Sequence, residues 1–307
     1  MTIKKNRFFT EAKLMLQSLP YVLEEEIFAL KGGSAINFFF RDMPRLSVDI
    51  DLTYLPIEPR KESLENIKAA LKRMAKNIGQ KLPGVSIQEG KIKNPDMVNK
   101  LFVRNSEAQI KIEPNLVIRG TAFQTEKFAL SPTAQEVFEL FIEARTVSLA
   151  DAFGGKICAA LDRQHPRDFY DVKYLLDNEG ITENIRKGFL VYLISHDRPM
   201  HELLKPSIKD FKDVYKSEFH GMTNEEVSYD ELLEVRSKLV DLIRGILTQD
   251  EKKFLLLFKK GEPNWKLLGI EGVENLPAVR WKLINIQKID KSKREDLIGK
   301  LRNVLEK

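Results

Sequence analysis

Over residues 47–54 the chain alternates strictly, with Val48, Ile50 and Leu52 set against Asp49 and Asp51. A strand of that pattern sends the three apolar side chains to one face and both aspartates to the other. Around this stretch, residues 8–19 carry apolar side chains at helical spacing, with Pro20 expected to end the helix. Residues 27–31 read as a short buried strand that delivers the chain to Gly32, and the apolar run 35–41 as the helix after a glycine turn. Apolar positions 64, 67, 71, 74, 75 and 78 predict an amphipathic helix over 64–78. Segments 85–92, 101–104 and 108–118 read as strands. From residue 148 onward helical spacing dominates: a helix with an apolar stripe at 149, 153, 157, 160 and 161, a second starting at Arg167, and further helices over 183–195, 201–204, 229–247, 250–259 and 292–305. The pattern predicts an α+β chain, with a mixed sheet and flanking helices over 1–145 and a mainly α-helical lobe over 146–307.

Composition narrows this without redirecting it. A chain of 307 residues with 43% apolar and 31% charged side chains can bury a substantial core in two lobes. No segment reaches the run of about 18 apolar residues that spans a membrane, and the first sixteen residues lack the apolar core and cleavage site of a signal peptide, so a cytoplasmic protein with no membrane partner is expected. The single cysteine, Cys158, cannot form an internal disulfide and reads as a small core residue. His165, His196, His201 and His220 show no zinc-ligand spacing. The net charge of +5 is concentrated in residues 282–307, where eight basic residues meet four acidic ones. Such a tail either touches phosphate backbones or forms a solvated helix face. Internal repeats and low-complexity tracts are absent from the sequence.

The chemistry begins with the paired aspartates. Two carboxylates on one strand face repel unless cations lie between them, and hard divalent ions with oxygen ligands fill that role, Mg²⁺ or Mn²⁺ here. A metal bound by Asp49 and Asp51 can activate a hydroxyl and stabilise a leaving pyrophosphate. Upstream, Gly32, Gly33 and Ser34 form a turn whose backbone can approach phosphate oxygens, with the helix behind it aimed at the anion. Glu113, in the alternating segment Ile110-Lys111-Ile112-Glu113, is the candidate third carboxylate, ligand to the metal and proton acceptor for the attacking hydroxyl. The alternative is a solvated glutamate paired with Lys111. Arg41 and Arg45 either neutralise phosphate or pair with Asp42 and surface carboxylates.

A second constellation lies in SLADAFGGKICAALDRQHPRDFYDVKYLLDN. Lys156 and Arg163, seven residues apart, share a helix face and suit a triphosphate, one as a point charge and one as a forked donor. Gly154 and Gly155 weaken a helix and therefore indicate close approach of another backbone or a ligand. Asp168 and Asp171 edge an apolar stripe and need partners, for which Lys156, Arg163 and Arg167 are the candidates; a purely structural salt-bridge cluster and, for Asp168, helix capping are the alternatives.

The run FALKGGSAINFFF...RLSVDIDLTYL resembles the AbiEii/MenT-like nucleotidyltransferase toxins, within the DNA polymerase beta-like nucleotidyltransferase superfamily. The signature of that group is a Gly-Ser followed by hydrophobic-Asp-hydrophobic-Asp. The resemblance covers most of the chain: AbiEii-like chains carry a similar Lys followed by Arg-Asp-x-x-Asp, and segments similar to PNWKLLGIEGVENLPAVRWKLINI. It implies a nucleotidyltransferase-fold sheet, a third acid on a neighbouring strand, a Ser47 hydroxyl near the phosphates (otherwise a strand-start residue), and a helical lobe completing a nucleotide cleft. It also implies an NTP substrate and a toxin of a toxin–antitoxin or abortive-infection phage-defence pair, with a separately encoded antitoxin and RNA such as the tRNA 3′ end as acceptor. A small-molecule acceptor of the aminoglycoside kind, a protein hydroxyl, and a non-catalytic nucleotide-binding module are the alternatives. Trp265 and Trp281 read as core residues, with base stacking as the alternative.

Overall fold

The computed structural model describes residues 6–91 and 98–306. They divide into two compact units: the described residues up to Ala152 together with His220–Glu226, and Phe153–Phe219 together with the described residues from Val227 onward.

The first unit is built on a seven-stranded mixed sheet. In chain order it contains α1 (Arg7–Leu23), β1 (Phe28–Lys31), α2 (Gly32–Ala35), β2 (Asp49–Tyr54), α3 (Arg60–Lys81), β3 (Ser86–Lys91), β4 (Val98–Arg104), β5 (Gln109–Asn115), β6 (Glu126–Ala129), α4 (Pro132–Phe138) and β7 (Glu143–Thr146). The strands lie in the order β3-β4-β5-β2-β1-β7-β6. β2 pairs parallel with β5 and antiparallel with β1, and β1 pairs parallel with β7. Ile50 and Leu52 of β2, Ile110 and Ile112 of β5, and Leu101 and Val103 of β4 are buried with Leu16 and Leu19 of α1 and Ile67, Leu71 and Met74 of α3. Asp49, Asp51, Lys111 and Glu113, at the alternate positions, are all partly exposed.

Several elements depart from expectation. Pro20 lies inside α1, which continues to Leu23. A proline within a helix costs roughly 3 kcal/mol, but burial of Leu16, Leu19 and Val22 along the same stripe returns roughly 1.5–3 kcal/mol each, so packing outweighs the break. The helix after the glycines begins at Gly32 and passes into a π-helical segment, Ile36–Phe40. Ile92, the expected end of a strand, lies outside the described residues, as do the first five residues and Lys307 of the basic tail. β6, α4 and β7 occur where no element was expected. The returning segment His220–Glu226 secures the approach to β2: Thr223 bridges Arg45, Leu46 N–H donates to Met222 O at 2.8 Å, and Asn224 N–H donates to Pro44 O at 3.1 Å.

The second unit is helical: α5 (Leu149–Arg163), whose first turn belongs to the first unit, then α6 (Pro166–Asp177), α7 (Glu183–Ser195), α8 (Met200–Leu204), α9 (Lys212–Glu218), α10 (Tyr229–Gly245), α11 (Gln249–Lys260), α12 (Pro277–Gln287) and α13 (Lys291–Leu305). The paired glycines of α5 serve helix packing. A Cβ on Gly154 would stand 2.5 Å from the backbone of Gly188 and Phe189 in α7, and one on Gly155 would meet the Tyr192 ring at 3.0 Å. Cys158 is buried as expected, and burial pushes its thiol well up. Trp265 packs against Phe254 and Phe258. Trp281, expected in the core, is instead 58% exposed on α12, with Lys288 Nζ 5.9 Å from its ring centroid. α12 presents that position outward because Ala278, Val279 and Ile286 take its buried side. No helix among the described residues is long and apolar enough to cross a membrane.

Candidate active site

The site in the first unit follows from strand register. Lys31 of β1 is the partner of Asp51 in β2, and Asp51 is the partner of Glu113 in β5, so the three form a row across the sheet. One step along β2, Asp49 is the partner of Lys111. Cross-strand partners share a face, so the expected alternation places Asp49, Asp51 and Glu113 together with both lysines.

Glu113 is held on both oxygens, by Lys100 Nζ at 2.8 Å and Lys111 Nζ at 2.8 Å. Burial alone would raise its pKa, but the hydrogen bonds and charges of the two lysines hold the carboxyl below its ordinary value. Burial would likewise lower Lys111; the Glu113 hydrogen bond and the charges of Asp49, Glu113 and Asp51 outweigh it and raise the amine. Glu113 thus pairs with Lys111 and also stands in the acidic row. A carboxylate held in this state is a firm anion and a weak proton acceptor. Lys100, which sequence reasoning missed, reaches Glu113 because the antiparallel β4–β5 register pairs its neighbour Leu101 with Ile112; on the other side its partner is Gly90 of β3, where a Cβ would lie 2.4 Å from the Lys100 stem. Only the β3–β4–β5 register carries that signal.

The glycine turn is built against this row. Gly32 has φ +71°, and a Cβ there would lie 2.6 Å from Asp51 Oδ2. A Cβ on Gly33 would lie 2.7 Å from Arg45 Nη2 and 2.9 Å from Ser47 Oγ. A side chain at either position would therefore force one of these groups to shift. Ser34 is buried, and its hydroxyl lies 2.5 Å from Asp49 O and 3.0 Å from Ser47 Oγ, tying α2 to the start of β2. Arg45 is 2% exposed and donates to Leu46 O at 2.8 Å. Asp42 accepts from the Thr133 hydroxyl at 2.7 Å and the Thr133 N–H at 2.8 Å. Arg45 is thus a buried prop beneath Gly33.

These donors suit a hard divalent cation. Asp49 and Asp51 offer only oxygen ligands on one face, beside a backbone turn that leaves Asp51 room. Among the described residues no group of three or more His, Cys, Asp or Glu stands ready as a cage, and lysines hold both oxygens of Glu113. The two aspartates fit a metal; Glu113 adjoins it in the row.

In the second unit, Lys156 Nζ lies 2.9 Å from Asp168 Oδ1 and 2.9 Å from Asp171 Oδ2. Arg163 donates to both Asp168 oxygens, at 2.5 and 2.8 Å. Burial would raise the Asp168 pKa, but the charges of Lys156 and Arg163 drive it far below the carboxylate range. Lys156 and both aspartates are buried, whereas the Arg163 side chain is 55% exposed. Of the expected partners, Arg167 pairs with Glu218 at 3.7 Å. Asp168 does not cap α6; His165 does, accepting the Arg167 N–H on Nδ1 at 3.2 Å, and burial draws its imidazole down to about 4.

The model of the nucleotidyl transferase AbiEii toxins of type IV toxin–antitoxin systems matches residues 13–285. The fold is similar to that of MenT4, a nucleotidyltransferase toxin from Mycobacterium tuberculosis, with a TM-score of 0.57 over 95% of this chain and 92% of that one, at 15% sequence identity. No curated protein sequence matches the chain. With the family model spanning both the glycine turn and aspartate row of the first unit and the Lys156 cluster of the second, the chain belongs to the AbiEii nucleotidyl transferase toxin family and is a nucleotidyltransferase of the type IV toxin–antitoxin class.

Proposed function

We propose that this toxin transfers a nucleoside monophosphate from an NTP to the 3′ hydroxyl of an RNA, tRNA being the leading class, in a Mg²⁺- or Mn²⁺-dependent reaction, and that a separately encoded antitoxin opposes it. The acceptor oxygen bonds to the α-phosphorus, the bond from that phosphorus to the β-phosphate bridging oxygen breaks, pyrophosphate leaves, and the hydroxyl proton passes to solvent. The observation that carries the reading is the row Lys31, Asp51, Glu113, with Asp49 beside it and Gly32 packed on the Asp51 carboxylate.

Asp49 and Asp51 hold the metal, which when bound supplies charge for the attacking and leaving oxygens. Glu113, kept anionic by Lys100 and Lys111, orders the acceptor side and adds negative charge to the metal's surroundings. The backbone at Gly32 and Gly33 approaches the phosphates, while Ser34 and Ser47 keep that turn in place. Within the second unit, Arg163 presents an exposed guanidinium of a kind that suits phosphate oxygens, and Lys156, Asp168 and Asp171 fix its orientation.

The test incubates the protein with each labelled NTP and Mg²⁺, separately with total RNA, cell protein and aminoglycosides. Label in RNA supports the reading. Label in either other pool assigns a different acceptor, and the absence of label from all three overturns it.

A further inference from the structure

Within the acidic row, Glu113 has charged neighbours on both sides. The β2–β5 register sets Asp51 opposite it, and the β4–β5 register that pairs Leu101 with Ile112 brings Lys100 to its other side. One row therefore runs Lys31, Asp51, Glu113, Lys100 across β1, β2, β5 and β4, and Gly90 of β3 continues it. A Cβ at Gly90 would lie 2.4 Å from Lys100 Cγ, so the lysine stem fills the space that the glycine leaves. Asp51 and Glu113 also line one cavity of about 270 Å³. A divalent cation held by Asp51 thus has a second carboxylate in the same wall.

The two lysines on Glu113 are not equivalent. Each takes one oxygen at 2.8 Å, Lys100 on Oε1 and Lys111 on Oε2. Lys111 lies opposite Asp49, and the charges of Asp49 and Asp51 favour its cation along with that of Glu113. It stays beside the row whichever partner Glu113 takes. Lys100 stands on the far side of Glu113 from Asp51, and its side chain is 29% exposed. A lysine pair open to water in this way is screened and exchanges readily. A divalent ion carries twice the charge of an ammonium group and prefers carboxylate oxygens, so it outbids a screened lysine at close range.

We propose that Lys100 is a positioning residue that competes with the divalent cation for Glu113: it holds Oε1 until a cation on Asp49 and Asp51 claims that oxygen, and so sets how tightly the cation binds. The exchange replaces one ion pair by another, makes or breaks no covalent bond, and releases the Lys100 ammonium to water. Removing Lys100 therefore frees a third carboxylate for the cation. The inference rests on the metal-dependent reading above.

The test measures Mn²⁺ affinity of the full chain by electron paramagnetic resonance, with no nucleotide present, for wild type, Lys100→Met, Glu113→Gln and the double variant. Lys100→Met binds Mn²⁺ about tenfold or more tighter than wild type, the scale on which groups around a metal's ligands tune its affinity. In the Glu113→Gln background the same change shifts the affinity by less than about threefold, because no carboxylate remains to be freed. Lys100→Arg, which keeps a cation at Oε1, binds Mn²⁺ like wild type. Thermal melts establish that each variant is folded, and Lys100→Gln takes the place of Lys100→Met if the latter is not. Unchanged or weaker binding in Lys100→Met overturns the proposal. Tightening that is as large in the Glu113→Gln background overturns it too, since Lys100 then acts by its charge and not through Glu113. Mn²⁺ binding that Asp51→Asn weakens and Lys100→Met leaves alone defeats this inference by itself, whereas no Mn²⁺ binding by wild type defeats the metal-dependent reading with it.

Discussion

Asp51 Oδ2 lies 2.6 Å from the point a Cβ at position 32 would occupy, so Gly32 and Asp51 share a space that only glycine leaves open. Gly32→Ala must move either the φ +71° turn or the carboxylate, and a displacement of about 1 Å at a reacting centre costs on the order of 100-fold in rate. Gly84 is the control: its φ is +73° and nothing lies within 4 Å of an added Cβ. Gly84→Ala should lose only stability, roughly 1–2 kcal/mol of backbone strain. Labelled-nucleotide incorporation compared with the melting temperature separates the two.

Asp49→Asn and Asp51→Asn should each lower nucleotide transfer by roughly 100-fold or more, since each removes a charged ligand at the point where charge develops. Each should also weaken Mn²⁺ binding, read by electron paramagnetic resonance without any substrate. Transfer at the wild-type rate by either variant would remove that aspartate from the site.

Lys111→Met takes one of two cations from Glu113, whose carboxyl should rise toward its ordinary value of 4.5. In wild type the folded value is lowered, so the stabilisation it contributes is present above pH 4.5 and is lost as the pH falls through the folded value. The variant should accordingly show a shallower loss of stability in that acid window. Carbon-13 NMR titration of the carboxyl and denaturant melts at several pH values check the two halves of this statement.

Asp168→Ala leaves the 7%-exposed Lys156 with one carboxylate fewer, and breaking a buried pair in this way costs about 3–5 kcal/mol. Arg163→Ala touches the same Asp168, but its 55%-exposed side chain is screened by solvent and should cost about 1 kcal/mol or less. Because Asp168 is held far below the ordinary value of 3.8, its contribution should persist through the mildly acidic range and fade only as the pH falls below that value. Urea denaturation of both variants tests the contrast.

Gly154→Ala pushes a methyl group to 2.5 Å from the α7 backbone and should destabilise the fold by about 1–3 kcal/mol. Gly299, within α13, has open space around it, and Gly299→Ala should stabilise by roughly 0.5–1 kcal/mol. Thermal melts decide both.

The parts of the site written in local order were legible. Period-two alternation carries Asp49 and Asp51 to one face and Ile50 and Leu52 to the other whatever the rest of the chain does. The same holds for Lys111 and Glu113, and the need of Asp168 and Asp171 for partners at the edge of an apolar stripe anticipated their contacts with Lys156 and Arg163. Pro20 and Trp281 were misread because each depends on what packs around it. Proline's local penalty is smaller than the burial it interrupts, and an aromatic ring on α12 is outward when the opposite side of that helix is the one covered.

By itself the amino-acid sequence determined which side chains share a face, because backbone periodicity requires nothing beyond the strand or helix in question. It thereby specified a sheet carrying paired aspartates after a glycine turn, and a helical half carrying a cation–carboxylate cluster. Only the tertiary structure decided which strands adjoin: that Asp51 stands between Lys31 and Glu113, that the β4–β5 register brings Lys100 to Glu113, and that residues 220–226 return to fasten the approach to β2. Strand order and register depend on contacts between segments tens to hundreds of residues apart, to which local periodicity is blind.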